Sequence, residues 1–220
     1  MQAMILAAGK GTRMRPLTAN IPKALVMFKN KPLIEHLIIN LKNFGIDQLI
    51  INLHYLGEQI KQTLGNGNKF GVKIKYSEEP NLLDTGGGIV KAITSGLLNQ
   101  EPFVVISADI FTEFNFSDLF TKLSKLAHLV LVPNPSYHLS GDFSLNNNDL
   151  QSPHNNPEFN FTYANIGIFD PDFFLDPPGE VFPLGSCINR AIKNQQITAE
   201  IYSGLWRNIG TLEELYAASQ

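Results

Sequence analysis

A single cysteine, Cys187, among 220 residues excludes an internal disulfide and fits a reducing compartment. Its lone position in a segment of helical spacing predicts a core thiol, not a nucleophile. Charge is sparse as well. Only 17% of the residues are Asp, Glu, Lys or Arg, and 17 basic against 20 acidic side chains leave a formal charge of −3. Such a balance offers no global attraction to nucleic acid, so any phosphate binding must be local. No apolar run reaches the roughly 20 residues of a membrane span, and the amino terminus lacks the basic-then-apolar order of a secretory leader. Internal repeats and low-complexity tracts are missing too. These exclusions predict a soluble cytoplasmic chain with neither nucleic acid nor membrane as partner. Apolar residues make up 44% of it, and a chain of this length buries roughly 70% of its unfolded surface in one domain, here 1–220.

What is present is alternation. Ala3 to Leu6 is a short apolar run, and Leu33, Ile34, Leu37, Ile38 and Leu41 form a helical stripe ended by Gly45. Strand-like runs follow at 49–53, 72–76, 103–106 and 128–132, with helical stretches at 58–64, 87–97 and 117–126, the last with Ser117 as its cap. Repeated βα order predicts a parallel sheet with helices on both faces. From Asn134 the alternation breaks. A hairpin around Asn146-Asn147-Asn148 and a long strand over 160–169, set antiparallel, precede a helix at 183–193, strands at 197–201 and 205–209, and a closing helix at 212–218. Residues 133–165 read as an inserted lid subregion, too short for a second domain.

The first strand empties into Ala7-Ala8-Gly9-Lys10-Gly11-Thr12-Arg13-Met14-Arg15-Pro16-Leu17-Thr18, continuing to Pro22-Lys23. Open α/β sheets bind ligands at this carboxyl edge, and backbone N–H groups unobstructed by Cβ atoms suit phosphate oxygens. A P-loop would need glycine where Met4 stands and Ser or Thr at Gly11; a dinucleotide fingerprint would need glycine at Met14. Three more constellations stand at element ends: Asp109 closing Val104-Val105-Ile106-Ser107-Ala108-Asp109, Asp84-Thr85-Gly86-Gly87-Gly88 after Glu79-Pro80, and Asn208-Ile209-Gly210-Thr211. Each also has a plain reading as a turn or a helix cap.

The string Ala8-Gly9-x-Gly11-Thr12-Arg13-x-x-Pro16-Leu17-Thr18 with Pro22-Lys23 resembles the signature of the sugar-1-phosphate nucleotidyltransferases. The resemblance runs essentially the length of the chain. It implies a single Rossmann-like, three-layer α/β/α domain with a mixed, mostly parallel central sheet. It also implies that Gly9, Gly11 and Thr12 hold nucleotide phosphates, Arg13 grips the departing pyrophosphate, and Lys23 neutralises charge at the α-phosphate. Arg13 and Lys23 are thus the expected catalytic pair, in keeping with a reaction driven by positioning and fixed positive charge. Pro80, Thr85 and Gly86 would meet the base. Asp109 and Asn208 would hold Mg²⁺ from the carboxyl ends of neighbouring strands. The family has glycine where Ala108 stands and aspartate where Asn208 stands, so this chain brings one carboxylate fewer to the metal. Leu126 to Val132 with Asn134-Pro135 and Gly141-Asp142-Phe143 looks like the bacterial branch that joins UTP to N-acetylmuramate 1-phosphate for peptidoglycan recycling. There Gly141, Asp142 and Asn165 would border the sugar phosphate. Mannose 1-phosphate with GTP and glucose 1-phosphate with thymidine or uridine triphosphate are the alternatives within the family. A non-catalytic nucleotide-sugar-binding protein is the alternative outside it.

Overall fold

The computed structural model describes residues 1–219. In chain order the elements are β1 (Gln2–Leu6), β2 (Met27–Phe28), β3 (Lys31–Pro32), α1 (Leu33–Asn43), β4 (Gln48–Leu53), α2 (Gly57–Leu64), β5 (Lys73–Glu78), α3 (Asp84–Thr94) and β6 (Phe103–Ser107). Then come β7 (Ile110–Thr112), α4 (Leu119–Lys122), β8 (Ala127–Val132), β9 (Phe143–Asn146), β10 (Asp149–Gln151), β11 (Asn160–Phe169), α5 (Leu184–Lys193), β12 (Ile197–Ile201), β13 (Trp206–Asn208) and α6 (Leu212–Ser219).

Period-two alternation in β1 sorts its side chains between two layers. Ala3 and Ile5 pack with Ile34, Leu37, Ile38 and Leu41 of α1, whereas Met4 packs with Ile89 of α3 and Cys187, Ile188 and Ala191 of α5. Both faces of the sheet are therefore covered, and Cys187 is buried without a disulfide. The result is the α/β/α sandwich that the βα alternation predicts.

The main sheet has nine strands in the order β5-β4-β1-β6-β11-β8-β12-β10-β9. β5, β4, β1 and β6 are mutually parallel. β11 enters antiparallel between β6 and β8, so those two strands, consecutive in the βα pattern, are not neighbours. The β9–β10 hairpin reaches from β12 back to the start of β11. Residues 133–165 thus include strands of the same sheet. Among the described residues no helix is long and apolar enough to cross a membrane.

Two helices differ from their sequence expectation. α3 begins at Asp84, three residues early, and takes Gly86, Gly87 and Gly88 into its first turns. A Cβ on Gly86 would lie 2.3 Å from the Phe182 ring, and one on Gly87 would lie 2.3 Å from the Glu180 carbonyl oxygen. Close packing of the 180–182 segment, not a turn, is what these glycines serve. The helix expected over 117–126 shrinks to a 3-10 turn and α4, and Asn115, not Ser117, is its cap: the Asn115 side chain accepts from Ser117 N–H at 3.1 Å. Its end is lost because the Leu126 N–H and carbonyl pair with Gln196 and Asp170 as the chain enters β8.

Candidate active site

β1 lies between β4 and β6, so the loop after it opens at the carboxyl edge of the parallel strands β5, β4, β1 and β6. The loop is fixed from within. Gly11 adopts φ +60° and its carbonyl accepts from Met14 N–H at 3.0 Å and Thr18 Oγ1 at 2.6 Å, while the Met14 side chain is fully buried. Gly9 differs: a Cβ there would meet nothing within 4 Å, so the protein's own packing does not demand glycine at this position. Gly9, Gly11, Thr12, Arg13 and Lys23 line a pocket of about 320 Å³ with Ser107, Ala108, Asp109 and Gly210. The amino-terminal loop and the end of β6 therefore share one concavity.

Asp109 stands two residues past the end of β6. One carboxylate oxygen, Oδ2, pairs with Lys23 Nζ; the other, Oδ1, is buried with no hydrogen-bond partner. Asn208 reaches the same place by a route other than the one expected. β13 is not in the main sheet but pairs antiparallel with β7, Asn208 opposite Ile110, and Ile209 N–H donates to the Asp109 carbonyl at 2.9 Å. Asn208 Oδ1 is likewise buried and unpartnered. Two unsatisfied buried oxygens, one of them anionic, suit a hard cation of oxygen preference. Among the described residues no group of three or more His, Cys, Asp or Glu side chains could hold a metal ion. A cation here would complete its shell with ligand oxygens and water, as Mg²⁺ does on phosphate substrates.

A larger cleft of about 710 Å³ adjoins this pocket, and Leu6, Arg13 and Ser107 line both. Its floor is a stretch of β11. On one side β11 pairs with β9 through Asn160 and Phe161 and with β6 only from Ile166 onward. Residues 162–165 have no strand partner on that side, and side chains satisfy the backbone instead. Tyr163 N–H donates to Asp142 Oδ2 at 2.8 Å, and Trp206 Nε1–H donates to the Ala164 carbonyl at 3.0 Å. The register shifts here, and Asn165 takes φ +55°, a bulge geometry that re-aims a strand residue.

Asn165, Asp142, Thr85, Arg13 and Asn208 all line this cleft. Asp142 is occupied on both oxygens, since Oδ1 also lies 2.9 Å from His138 Nε2. Thr85 Oγ1 accepts from Leu184 N–H at 2.8 Å. Three expected residues stand apart. Gly141 (φ +63°) does not line the cleft, and a Cβ there would lie 2.8 Å from Asn134 Oδ1. Gly86 is buried against Phe182, and exposed Pro80 borders a separate depression with Gly87 and Lys91. The cleft also contains Ser107, Tyr137, His138 and Asn189, which sequence reasoning passed over. Burial, then Glu214, pushes the Tyr137 phenol up, against opposing effects of a hydrogen bond from Asn208 and the charge of Arg13. Tyr137 therefore stays a neutral phenol in the neighbourhood of Asp109 and Asn208. Only Ser107 carried a readable signal, its place at the end of a buried strand two residues before Asp109.

The sequence profile of the Nucleotidyl transferase family matches residues 2–140. The chain is 39% identical over 225 residues to N-acetylmuramate alpha-1-phosphate uridylyltransferase of Neisseria meningitidis, covering 99% of this chain and 96% of that one. It is 32% identical to the mannose-1-phosphate guanylyltransferase catalytic subunit beta of Drosophila melanogaster, over 95% of this chain but 59% of that longer protein. A UDP-glucose pyrophosphorylase solved with UDP-glucose superposes with a TM-score of 0.79 at 20% identity, over 99% of this chain and 96% of that one.

Proposed function

The chain belongs to the nucleotidyl transferase family, and from that membership we propose that it joins UTP to N-acetylmuramate 1-phosphate, releasing pyrophosphate and forming UDP-N-acetylmuramate. For the sugar and the base the supporting observation is the near-complete overlap with the Neisseria enzyme. For the reaction class it is the continuity of two cavities through Arg13, one wide enough for a sugar nucleotide and one lined by the cationic loop. We place the reaction in the cytoplasm, in recycling of peptidoglycan sugars.

In this reading the triphosphate lies along Gly9, Gly11 and Thr12, and Thr85 stands on the base side. A phosphate oxygen of the sugar 1-phosphate, held near Asn165 on the floor of the cleft, attacks the α-phosphorus in line. The new O–P bond forms as the bond to the β-phosphate oxygen breaks, and the electron pair leaves with pyrophosphate. The attacking oxygen is already anionic, so no side chain has to remove a proton. Arg13 meets charge growing on the leaving group, and Lys23 exchanges its partner Asp109 for α-phosphate oxygens. Asp109 and Asn208 would hold Mg²⁺, which supplies further neutralisation of phosphate charge. Fixed charge of this kind acts where the transition state is most anionic.

Pyrophosphate release measured over a matrix of UTP, GTP and dTTP against N-acetylmuramate, mannose and glucose 1-phosphates tests the assignment. The highest kcat/KM is expected for UTP with N-acetylmuramate 1-phosphate. A preference for GTP with mannose 1-phosphate would transfer the chain to the activity named for the Drosophila relative. Nucleotide binding without turnover on any pair would favour a non-catalytic nucleotide-sugar-binding protein.

A further inference from the structure

Glu79 is the most deeply buried acidic side chain among the described residues, at 3% exposure, and no cation forms an ion pair with it among them. Burying a carboxylate costs several kcal/mol unless hydrogen bonds compensate. Its partners are both neutral donors: Asn52 Nδ2–H to Oε1 at 2.7 Å and Leu83 N–H to Oε2 at 3.0 Å. Asn52, also 3% exposed, uses its other end to accept from Ala7 N–H at 2.7 Å. Three bonds therefore run in series from the loop after β1, through the end of β4, to the residue before α3. One end, Ala7, lines the small pocket; the other leads two residues on to Thr85, which lines the cleft. Gly88 fits the same arrangement, because a Cβ there would lie 2.5 Å from Glu79 Oε1 and 2.9 Å from Asn52 Nδ2.

We propose that Asn52 and Glu79 are positioning residues that hold the phosphate-side loop and the base-side start of α3 at one fixed separation, so that a nucleoside triphosphate meets both at once. The inference rests on the reading of these two cavities as a triphosphate site. A buried anion is useful here because an acceptor on both oxygens dictates the orientation of the Asn52 amide, and with it the acceptor presented to Ala7 N–H. A glutamine at 79 has one acceptor for two donors, so its NH₂ would face either the Asn52 amide or Leu83 N–H donor to donor. An aspartate at 52 would face Glu79 acceptor to acceptor.

Exchange of the two groups tests the relay. Asn52→Asp with Glu79→Gln keeps the net charge and all three bonds: the new amide donates to the new carboxylate, which still accepts from Ala7 N–H, and Leu83 N–H still finds a carbonyl oxygen. Asn52→Asp and Glu79→Gln alone are each expected to lower kcat/KM for UTP roughly 10- to 100-fold, the scale of a small misplacement of reacting groups. The KM for the sugar 1-phosphate should stay within about twofold, and the double variant should recover to within about threefold of wild type. A merely structural role would lower the melting temperature and the active fraction while leaving the KM for UTP unchanged. Should the single variants fail to fold, the comparison runs between Asn52→Ser, which shortens the relay without adding charge, and the double variant. Calorimetric titration with UTP, GTP, CTP and ATP accompanies the kinetics. Wild type binding none of the four overturns the reading of the site. Wild type binding one of them with the same Kd as the single variants, or a double variant no better than the worse single one, overturns the relay alone.

Discussion

Replacing Asn208 by aspartate isolates what one charge is worth in this site. Asp109 Oδ1 and Asn208 Oδ1 are both buried and unpartnered, and Lys23 already occupies the other oxygen of Asp109. A second carboxylate adds a unit charge; at about 4 Å and an effective dielectric near 20 this attracts a cation by roughly 4 kcal/mol per charge. Dehydrating that carboxylate takes back a large part of the gain. Glu214 near Tyr137 also opposes further negative charge here. A net gain of about 1–2 kcal/mol remains, which is roughly 5- to 30-fold in metal affinity. Mn²⁺ binding followed by paramagnetic resonance with an unreactive UTP analogue reads the Kd directly, and the Mg²⁺ concentration for half-maximal turnover reads it in catalysis. Asn208→Asp should lower both, and Asp109→Ala should abolish Mn²⁺ binding in either background. Unchanged Mn²⁺ affinity and Mg²⁺ dependence in Asn208→Asp would refute Asn208 as a ligand.

Two further outcomes follow from other groups. Lys23→Ala is expected to cut kcat by about 10²- to 10³-fold, the scale of losing one preorganised electrostatic contact, with a lower melting temperature because the Asp109 carboxylate loses its ion-pair partner; near-normal turnover of the folded protein would remove Lys23 from the chemistry. On β12, opposite Val130 of β8, Glu200 is pushed up by its burial, but the His128 ring 3.5 Å from one oxygen and the Lys122 ammonium bonded to the other outweigh this and hold it below the usual glutamate range. A depressed carboxylate stabilises the fold above its unfolded pKa and loses that contribution as pH falls through its folded one. Glu200→Gln should therefore lower the melting temperature by about 2–4 °C at pH 7, corresponding to about 1 kcal/mol, with the difference shrinking below pH 4 in thermal scans; an equal gap at both pH values would count against it.

The parts of the fold legible in the sequence are those where one face meets one layer. The α1 stripe Leu33, Ile34, Leu37, Ile38 and Leu41 is entirely buried as its spacing demands, and the antiparallel strand over 160–169 forms with those limits. Partners distant in sequence were not legible. Nothing local says that β11 will enter between β6 and β8, or that Phe182 will press on Gly86, 96 positions earlier. The same holds for the site. The loop string places Gly9, Gly11, Thr12, Arg13 and Lys23 around Asp109, because one strand end sets them all there. Tyr137 and His138 reach the cleft through a loop stapled by the contact of His138 with Asp142, and turn-forming residues around them hide it. Pro80 and Gly86 show the converse: glycines and proline at a helix start look ready for a ligand, and the chain's own segment 180–182 takes the space beside Gly86.

The ten residues of β11 extend about 33 Å and work as a chassis. One end is bonded into the β6 side, where the phosphate loop sits, and the other into the β9–β10 hairpin. The two ends share a rigid beam yet few side chains, and substitutions farther apart than about 7–10 Å without common partners combine additively. Variation at the hairpin end can therefore accumulate without disturbing the loop after β1, and the reverse. Under the proposed assignment, a lineage built on this beam can change the sugar it accepts in small steps, each judged on its own, while its grip on the triphosphate is inherited intact.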